Sequence, residues 1–304
     1  MPGMRRSTRW LSRLAVAAVV GMALALAAGT TFAYRLMARV LSADASALPA
    51  PPPAARTDPL VIGYRGDPAA AFGVPFETVA LATDLGPAPG WLIPGAAGRG
   101  DGRTAAVFVH GILGAREDGY AFVGPLHAAG VPVLLMTYRG DAEAPPDPLG
   151  LHAIGLTEWR DLDAAVALLA ARGAERVIVV GASMGGGIVG AFLSRSPQAG
   201  RVAAVVLDAP ALDFPAVLAA LLSHIGLPAP RLVAPLAVAA FATLRGLDLG
   251  AAVHVAPVAA FPGPLVLMHG TADAIVPVSI ADAVIAARSG LTLVVRSEAA
   301  HLGT

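Results

Sequence analysis

The chain has 304 residues, 56% of them hydrophobic and only 14% charged, with 21 Arg, 21 acidic residues, no Lys and no Cys. The missing cysteines exclude a thiol nucleophile, a disulfide framework and a Cys-based metal site. Residues 1–41 carry six Arg and no acid, which leaves 15 Arg against 21 acids in the remainder. A weakly acidic body behind a basic, apolar tail argues against nucleic acid as a partner and points to a membrane.

Arg5, Arg6, Arg9 and Arg13 precede an uncharged run from Leu14 to Tyr34, and Arg35 and Arg39 follow it. Such a run spans about 30 Å as a helix, one hydrocarbon thickness. The excess of Arg before it predicts a single span with a cytoplasmic N-terminus and an extracytoplasmic domain. Two other readings stay open: a signal peptide cleaved after Ala25-Leu-Ala27 or Thr31-Phe-Ala33, giving a secreted product, and a buried core helix. Residues 1–41 are thus an anchor or signal segment. Residues 42–59, with Pro49 and Pro51-Pro-Pro53, read as an extended linker.

Residues 60–304 form the globular part. Val74 to Ala82 and Trp91-Leu-Ile93 flank a turn at Thr83-Asp-Leu-Gly86 and predict an antiparallel hairpin, with Asp84 as a turn residue. Ala105 to Val109 is a buried strand leading into His110-Gly-Ile-Leu-Gly114. A crossover helix over 115–129 and a strand from Val131 to Met136 follow, and Tyr138-Arg-Gly-Asp141 leaves that strand. Thr157 is a fitting N-cap for a helix that carries Leu162, Val166 and Leu169 on one face and stops at Gly173. Strand and helix alternating at this spacing imply a mostly parallel sheet covered on both faces.

The next strand, Val177 to Val180, runs into Gly181-Ala-Ser-Met-Gly185 and then a helix. A serine on a sharp strand-to-helix turn needs small residues two before and two after it, and Gly181 and Gly185 supply them. Such a turn lifts Ser183 Oγ above the sheet and aims the N–H of Met184 at the group it attacks. Arg201 to Leu207 is another strand, ending at Asp208. Residues 209–262, rich in Ala, Leu and Pro, break the alternation and read as a helical cap, with helices near 215–225 and 231–244. A strand from Pro264 to Met268, the loop His269-Gly-Thr-Ala-Asp273, a helix near 279–288 and a strand from Leu291 to Val295 complete the pattern.

A serine attacks only when a base takes its proton and a third group orients that base. Beyond the carboxyl ends of strands lie Ser183, Asp273 and His301, in that chain order. Asp208 is the competing acid. Among the other histidines, His110 and His269 read as loop braces, and His127, His152, His224 and His254 as surface or cap residues.

With His110-Gly111, Tyr138-Arg-Gly140, Glu158 with Asp161-Leu162, Gly181 to Gly186, Asp208-Ala-Pro210 and His269 to Asp273 with Val276-Pro277, the chain from about residue 74 resembles the α/β-hydrolase superfamily. It is most similar to membrane-anchored serine hydrolases of the BEM46-like and ABHD type, related to serine aminopeptidases and monoglyceride lipases. The resemblance implies an α/β-hydrolase fold with Ser183 as nucleophile, Asp273 as acid, His301 as base, and the N–H groups of Ile112 and Met184 as the oxyanion hole. It implies hydrolysis of an ester, less readily an amide or thioester, of a small-molecule or lipid-like acyl substrate, with no metal or organic cofactor. Acyl transfer by the same three residues and a catalytically silent binding protein are the alternatives, and the oligomeric state is left open. Relatives usually carry a closing helix after the histidine, whereas this sequence stops three residues past His301. His301 is therefore expected to be tethered on one side only.

Overall fold

The computed structural model describes residues 3–43 and 53–303; the central part of the Pro-rich linker lies outside the described residues. Helix α1 (Gly3–Val40) is followed by a 3₁₀ turn (Pro53–Arg56) and a short α2 (Pro68–Phe72). Strands β1 (Glu77–Thr83) and β2 (Gly86–Ile93) form the expected antiparallel hairpin, pairing Thr83 with Gly86 at the turn. Then come β3 (Thr104–Val109), a 3₁₀ turn (Arg116–Gly119) running into α3 (Tyr120–Ala128), β4 (Val133–Met136), α4 (Trp159–Ala171), β5 (Arg176–Ala182) and α5 (Met184–Arg195). After β6 (Val202–Asp208) come α6 (Phe214–His224), α7 (Pro230–Arg245) and α8 (Val255–Ala260), then β7 (Leu265–Gly270), α9 (Val278–Ala287) and β8 (Thr292–Ser297).

The eight strands make one sheet in the order β1-β2-β4-β3-β5-β6-β7-β8. Beyond the hairpin, β2 meets β4 antiparallel, and every later pairing is parallel. Strands buried on both faces read as continuous apolar runs, and Val177-Ile-Val-Val180 is such a run. Val177 and Val179 join the face that holds Leu162 and Val166 of α4 and Ile188 of α5. Ile178 and Val180 join the opposite face, with Tyr120 and Val123 of α3.

Three local expectations are revised. Helix α4 starts at Trp159, and Glu158 rather than Thr157 occupies its N-cap position. Glu158 is fully buried and accepts the N–H groups of Ala153 (2.5 Å) and Gly155 (2.9 Å), so it ties down the loop before α4. Burial raises its pKa, against those hydrogen bonds. Asp84 is more than a turn residue: with Asp161 it brackets the buried Arg139 guanidinium, which holds Asp161 at 2.8 and 3.0 Å. This pair of carboxylates clamps the β1–β2 turn to the end of β4 and to α4. In the cap, α6 and α7 match expectation, while α8 and a 3₁₀ turn at Leu249–Ala251 are additional.

Helix α1 is not separate from the rest. Its first part is exposed, at Trp10 and Leu11 and from Arg13 to Leu24, but Ala33, Met37 and Leu41 are buried in the same core as Val233, Ala237 and Phe241 of α7. A Cβ on Gly29 would stand 3.2 Å from Val233, and the rings of Tyr34 and Phe241 lie 5.6 Å apart. The chain after α1 bonds at once to the loop after β4, through Ala43 N–H to Gly150 O (3.1 Å) and His152 N–H to Leu41 O (2.7 Å).

Candidate active site

Ser183 joins β5 to α5 with φ 52° and ψ −117°, a conformation that L-residues avoid unless their surroundings enforce it. Those surroundings are visible. Its N–H donates to Asp208 O, and its C=O accepts from Gly186 and Ala211, each at 2.9 Å. The elbow also needs space. A Cβ on Gly181 would lie 2.8 Å from Gly185 O, and one on Gly185 only 2.1 Å from Val109 O. The small residues flanking the serine are thus a steric requirement of packing α5 against β3 and β5.

The three expected side chains come together. His301 Nε2 lies 2.9 Å from Ser183 Oγ, and His301 Nδ1 lies 2.7 Å from Asp273 Oδ2. An ionised carboxylate only accepts, so Nδ1 carries the proton and Nε2 is left to accept from the serine hydroxyl. Both ring nitrogens are accounted for without the Asp208 side chain, which enters the elbow through its backbone carbonyl instead. Asp273 Oδ1 accepts from Ile275 N–H (2.8 Å) and Val276 N–H (2.9 Å), and His269 Nε2 sits 3.4 Å from Oδ2 while meeting Val276 O at 2.9 Å. Burial pushes the Asp273 pKa up, but the hydrogen bonds of His269, His301 and Val276 together hold it well below the usual carboxylate range. Asp273 therefore stays charged beside the imidazole.

His301 is held from the Asp273 side more firmly than its sequence position suggests. Thr271 N–H and Oγ1 donate to Ser297 O (2.8 and 3.0 Å), and Ala272 N–H donates to Ala299 O (3.2 Å). The fit is close, because a Cβ on Gly270 would meet Ala299 O at 2.2 Å. The loops carrying Asp273 and His301 are in effect one bonded unit.

The loop after β3 closes the other side. A Cβ on Gly111 would stand 3.0 Å from Ser183 Cβ, so this glycine lets the His110-Gly-Ile112 backbone approach Ser183. Among the described residues, neither the Ile112 nor the Met184 N–H takes part in a turn or loop hydrogen bond. His110 and Tyr138 set the loop's position. His110 Nδ1 meets Gly111 O at 2.9 Å and Nε2 meets Asp141 Oδ2 at 2.9 Å, while Tyr138 OH reaches Gly111 O at 3.1 Å. Burial disfavours the His110 cation, but the charge and hydrogen bond of Asp141 outweigh it and raise the pKa. Tyr138-Arg-Gly-Asp141 thus acts twice, through Arg139 on the scaffold and through Tyr138 and Asp141 on the loop facing the serine. A cavity of about 260 Å³ lies behind that loop, between Leu113–Glu117 and Thr137–Glu143, and Ser183 does not line it.

Residues 100–246 match the family profile described as serine aminopeptidase, S33. No curated protein sequence matches the chain significantly. Among solved structures, an esterase of Pyrococcus furiosus superposes with a TM-score of 0.58 at 19% identity, covering 81% of this chain and 89% of its own. An acetyl xylan esterase from Paenibacillus sp. R4 gives 0.58 at 17%, covering 79% and 82%. A thermophilic esterase from Thermogutta terrifontis gives 0.51 at 18%, covering 74% and 92%. The chain has the α/β-hydrolase fold, and its central part is similar to the serine aminopeptidases.

Proposed function

We propose that this protein is a membrane-tethered serine hydrolase that cleaves carboxylic esters through an acyl-enzyme on Ser183. The observation that carries the reading is the relay from Asp273 through His301 to a serine held at positive φ. In the first half-reaction His301 Nε2 takes the hydroxyl proton as Ser183 Oγ bonds to the ester carbonyl carbon. The oxyanion that forms is met by the N–H groups of Ile112 and Met184, each such donor being worth about 3 kcal/mol in the transition state. The C–O bond to the alcohol then breaks, and His301 returns the proton to the departing oxygen. Water repeats the sequence, with His301 as base, and releases the acid. Asp273 fixes the tautomer of His301 and stabilises its cation without taking the proton.

Esterases recur among the structural neighbours, which favours an ester over an amide. The membrane part rests on α1, whose segment Arg13–Val40 is long enough to cross a bilayer and contains an 18-residue stretch apolar enough to do so. The Arg bias sets the N-terminus inside and the hydrolase outside. The test combines fluorophosphonate labelling with chromogenic esters of rising acyl length. Labelling at Ser183 and turnover that both vanish in Ser183→Ala are the expected result, with a loss of about 10⁶-fold in kcat. Labelling at another serine, or ester turnover that survives the substitution, would overturn the assignment.

A further inference from the structure

Between α1 and the α6–α7 turn runs a groove of about 650 Å³, within the roughly 300–1,000 Å³ typical of small-molecule sites. Met22, Leu26 and Phe32 form one wall and Leu227, Pro228 and Leu232 the other, and among the described residues no charged one lines it. The cap surface around it is also apolar, with Ile225, Leu232 and Leu236 all about half exposed. From Phe214 to Leu247 there is no acidic residue, while Arg231 is exposed and Arg245 lies in the last turn of α7.

The register of α1 says what covers this surface. Were the cap kept wholly out of lipid, α1 would leave the bilayer by Leu26, about 20 Å from Arg13, too short for a hydrocarbon core of about 30 Å. With Arg13 and the exposed Arg35 at the two edges instead, the span is about 33 Å, which fits. Gly29 then lies about 9 Å inside the outer edge, the depth of roughly 5–10 Å reached by interfacial helices. Gly29 faces Val233 and Tyr34 faces Phe241, so α7 runs parallel to α1, starting deep and rising outward. Arg231, near the deep end, has a stem long enough to carry its charge toward the headgroups.

We infer that the α6–α7 turn is seated in the outer leaflet beside α1, and that the groove between them holds one acyl chain of a bilayer phospholipid. The inference rests on the proposal that α1 remains in the membrane. The absence of cysteine makes site-specific labelling direct. Nitroxides are placed at Val19→Cys, Leu232→Cys and Leu291→Cys in the full chain, reconstituted in phosphatidylcholine–phosphatidylglycerol vesicles. Collision with oxygen should dominate over collision with a water-soluble nickel complex at positions 19 and 232, and the reverse should hold at 291, an exposed site before β8. A phosphatidylcholine with a diazirine in its acyl chain should cross-link to peptides 22–32 and 227–232. Ala28→Phe and, separately, Ala25→Phe, both on the exposed side of α1, should fill the groove and remove the cross-links at Leu26 and Leu227, the partly buried residues of its two walls, while cross-links from bulk lipid at Val19 persist, with no fall in melting temperature. Lipid exposure at 19 with water exposure at 232 would overturn the seating while leaving the tether intact. Spin–spin broadening at 232 would assign the surface to a second copy instead. Water exposure at 19 as well, or a mature chain starting at Tyr34, would remove the tether and this inference together.

Discussion

Gly185→Ala tests whether the elbow geometry, rather than the mere presence of a serine, sets the activity. The added Cβ would stand 2.1 Å from Val109 O and 2.7 Å from His110 O, where ordinary contact begins at 3.4 Å. Relief requires a displacement of about 1.3 Å, and close-packed interiors offer little slack for it. Neither oxygen can rotate away. Val109 is paired with Gly181 across β3 and β5, and His110 O accepts from Tyr138 OH at 3.3 Å. The strain must therefore part α5 from β3, which moves Ser183 and Met184 away from Gly111 and Ile112. A misplacement near 1 Å costs on the order of 100-fold in rate, and overpacking of this kind costs about 1–3 kcal/mol of stability. The assay is kcat/KM on a short-chain ester alongside the melting temperature. Gly124→Ala in α3 is the control, since a Cβ there meets nothing within 4 Å; it should be neutral or stabilising by up to about 1 kcal/mol. Unchanged kcat/KM and melting temperature for Gly185→Ala would refute the reasoning, because the α5–β3 contact would then be looser than the packing implies.

Two further outcomes follow from the polar groups. Asp273→Asn should lower turnover about 10⁴-fold by unsettling the tautomer of His301, whereas Asp208→Asn should leave it within the same order, because both ring nitrogens of His301 meet Asp273 and Ser183 instead; the reverse pattern in steady-state kinetics would move the acid to β6. His254 is buried, and burial with help from Arg195 pushes its pKa from 6.5 down to about 4. A folded-state pKa below the unfolded one means that stability is complete above pH 6.5 and falls as pH drops toward 4, by about 3 kcal/mol over that window. Urea unfolding across pH should show this slope in the wild type and lose it in His254→Asn; an unchanged slope would assign it elsewhere.

The elbow was legible in the sequence because every requirement on it is local. Gly181, Ser183 and Gly185 lie within five residues, and the strand and helix around them announce themselves by apolar runs. Asp273 and His301 were legible for a topological reason, since each follows a strand of one parallel sheet and the ends of such strands converge. What could not be read is contact between remote segments. Arg139 is 55 residues from Asp84, and only the fold brings the β1–β2 turn beside β4. His110 meets Asp141 by the same route, because β3 and β4 are neighbours in the sheet. The expected N-cap at Thr157 failed because Thr157 belongs to the turn before the helix, where its Oγ1 donates to Asp147 and the buried Glu158 carboxylate accepts the turn's N–H groups. Seen as a stretch of sequence, α1 looked like an appendage, since nothing in its composition shows that Gly29, Ala33 and Met37 form a stripe fitted to α7.

That stripe bears on whether α1 is kept or removed. Cleavage after Ala33 would leave a chain starting at Tyr34 and would strip Leu26, Gly29 and Ala33 from the side of α7. Val233, now 1% exposed, would lose part of its cover, and full exposure of a side chain of this kind costs about 1.5–3 kcal/mol. The remaining helix, residues 34–40, is two turns long and too short to persist without docking. A protein that begins at Tyr34 should therefore unfold at lower urea than the full chain in the same detergent, by about 2 kcal/mol, with the cap loosening first. Hydrogen exchange of α7 amides read alongside the unfolding midpoint distinguishes local from global loss. A discarded export signal has no reason to be built into the core of the domain it delivers. If both proteins unfolded alike, with α7 equally protected, the fit of Gly29 and Ala33 against α7 would carry no stability, and cleavage would become the better account of this helix.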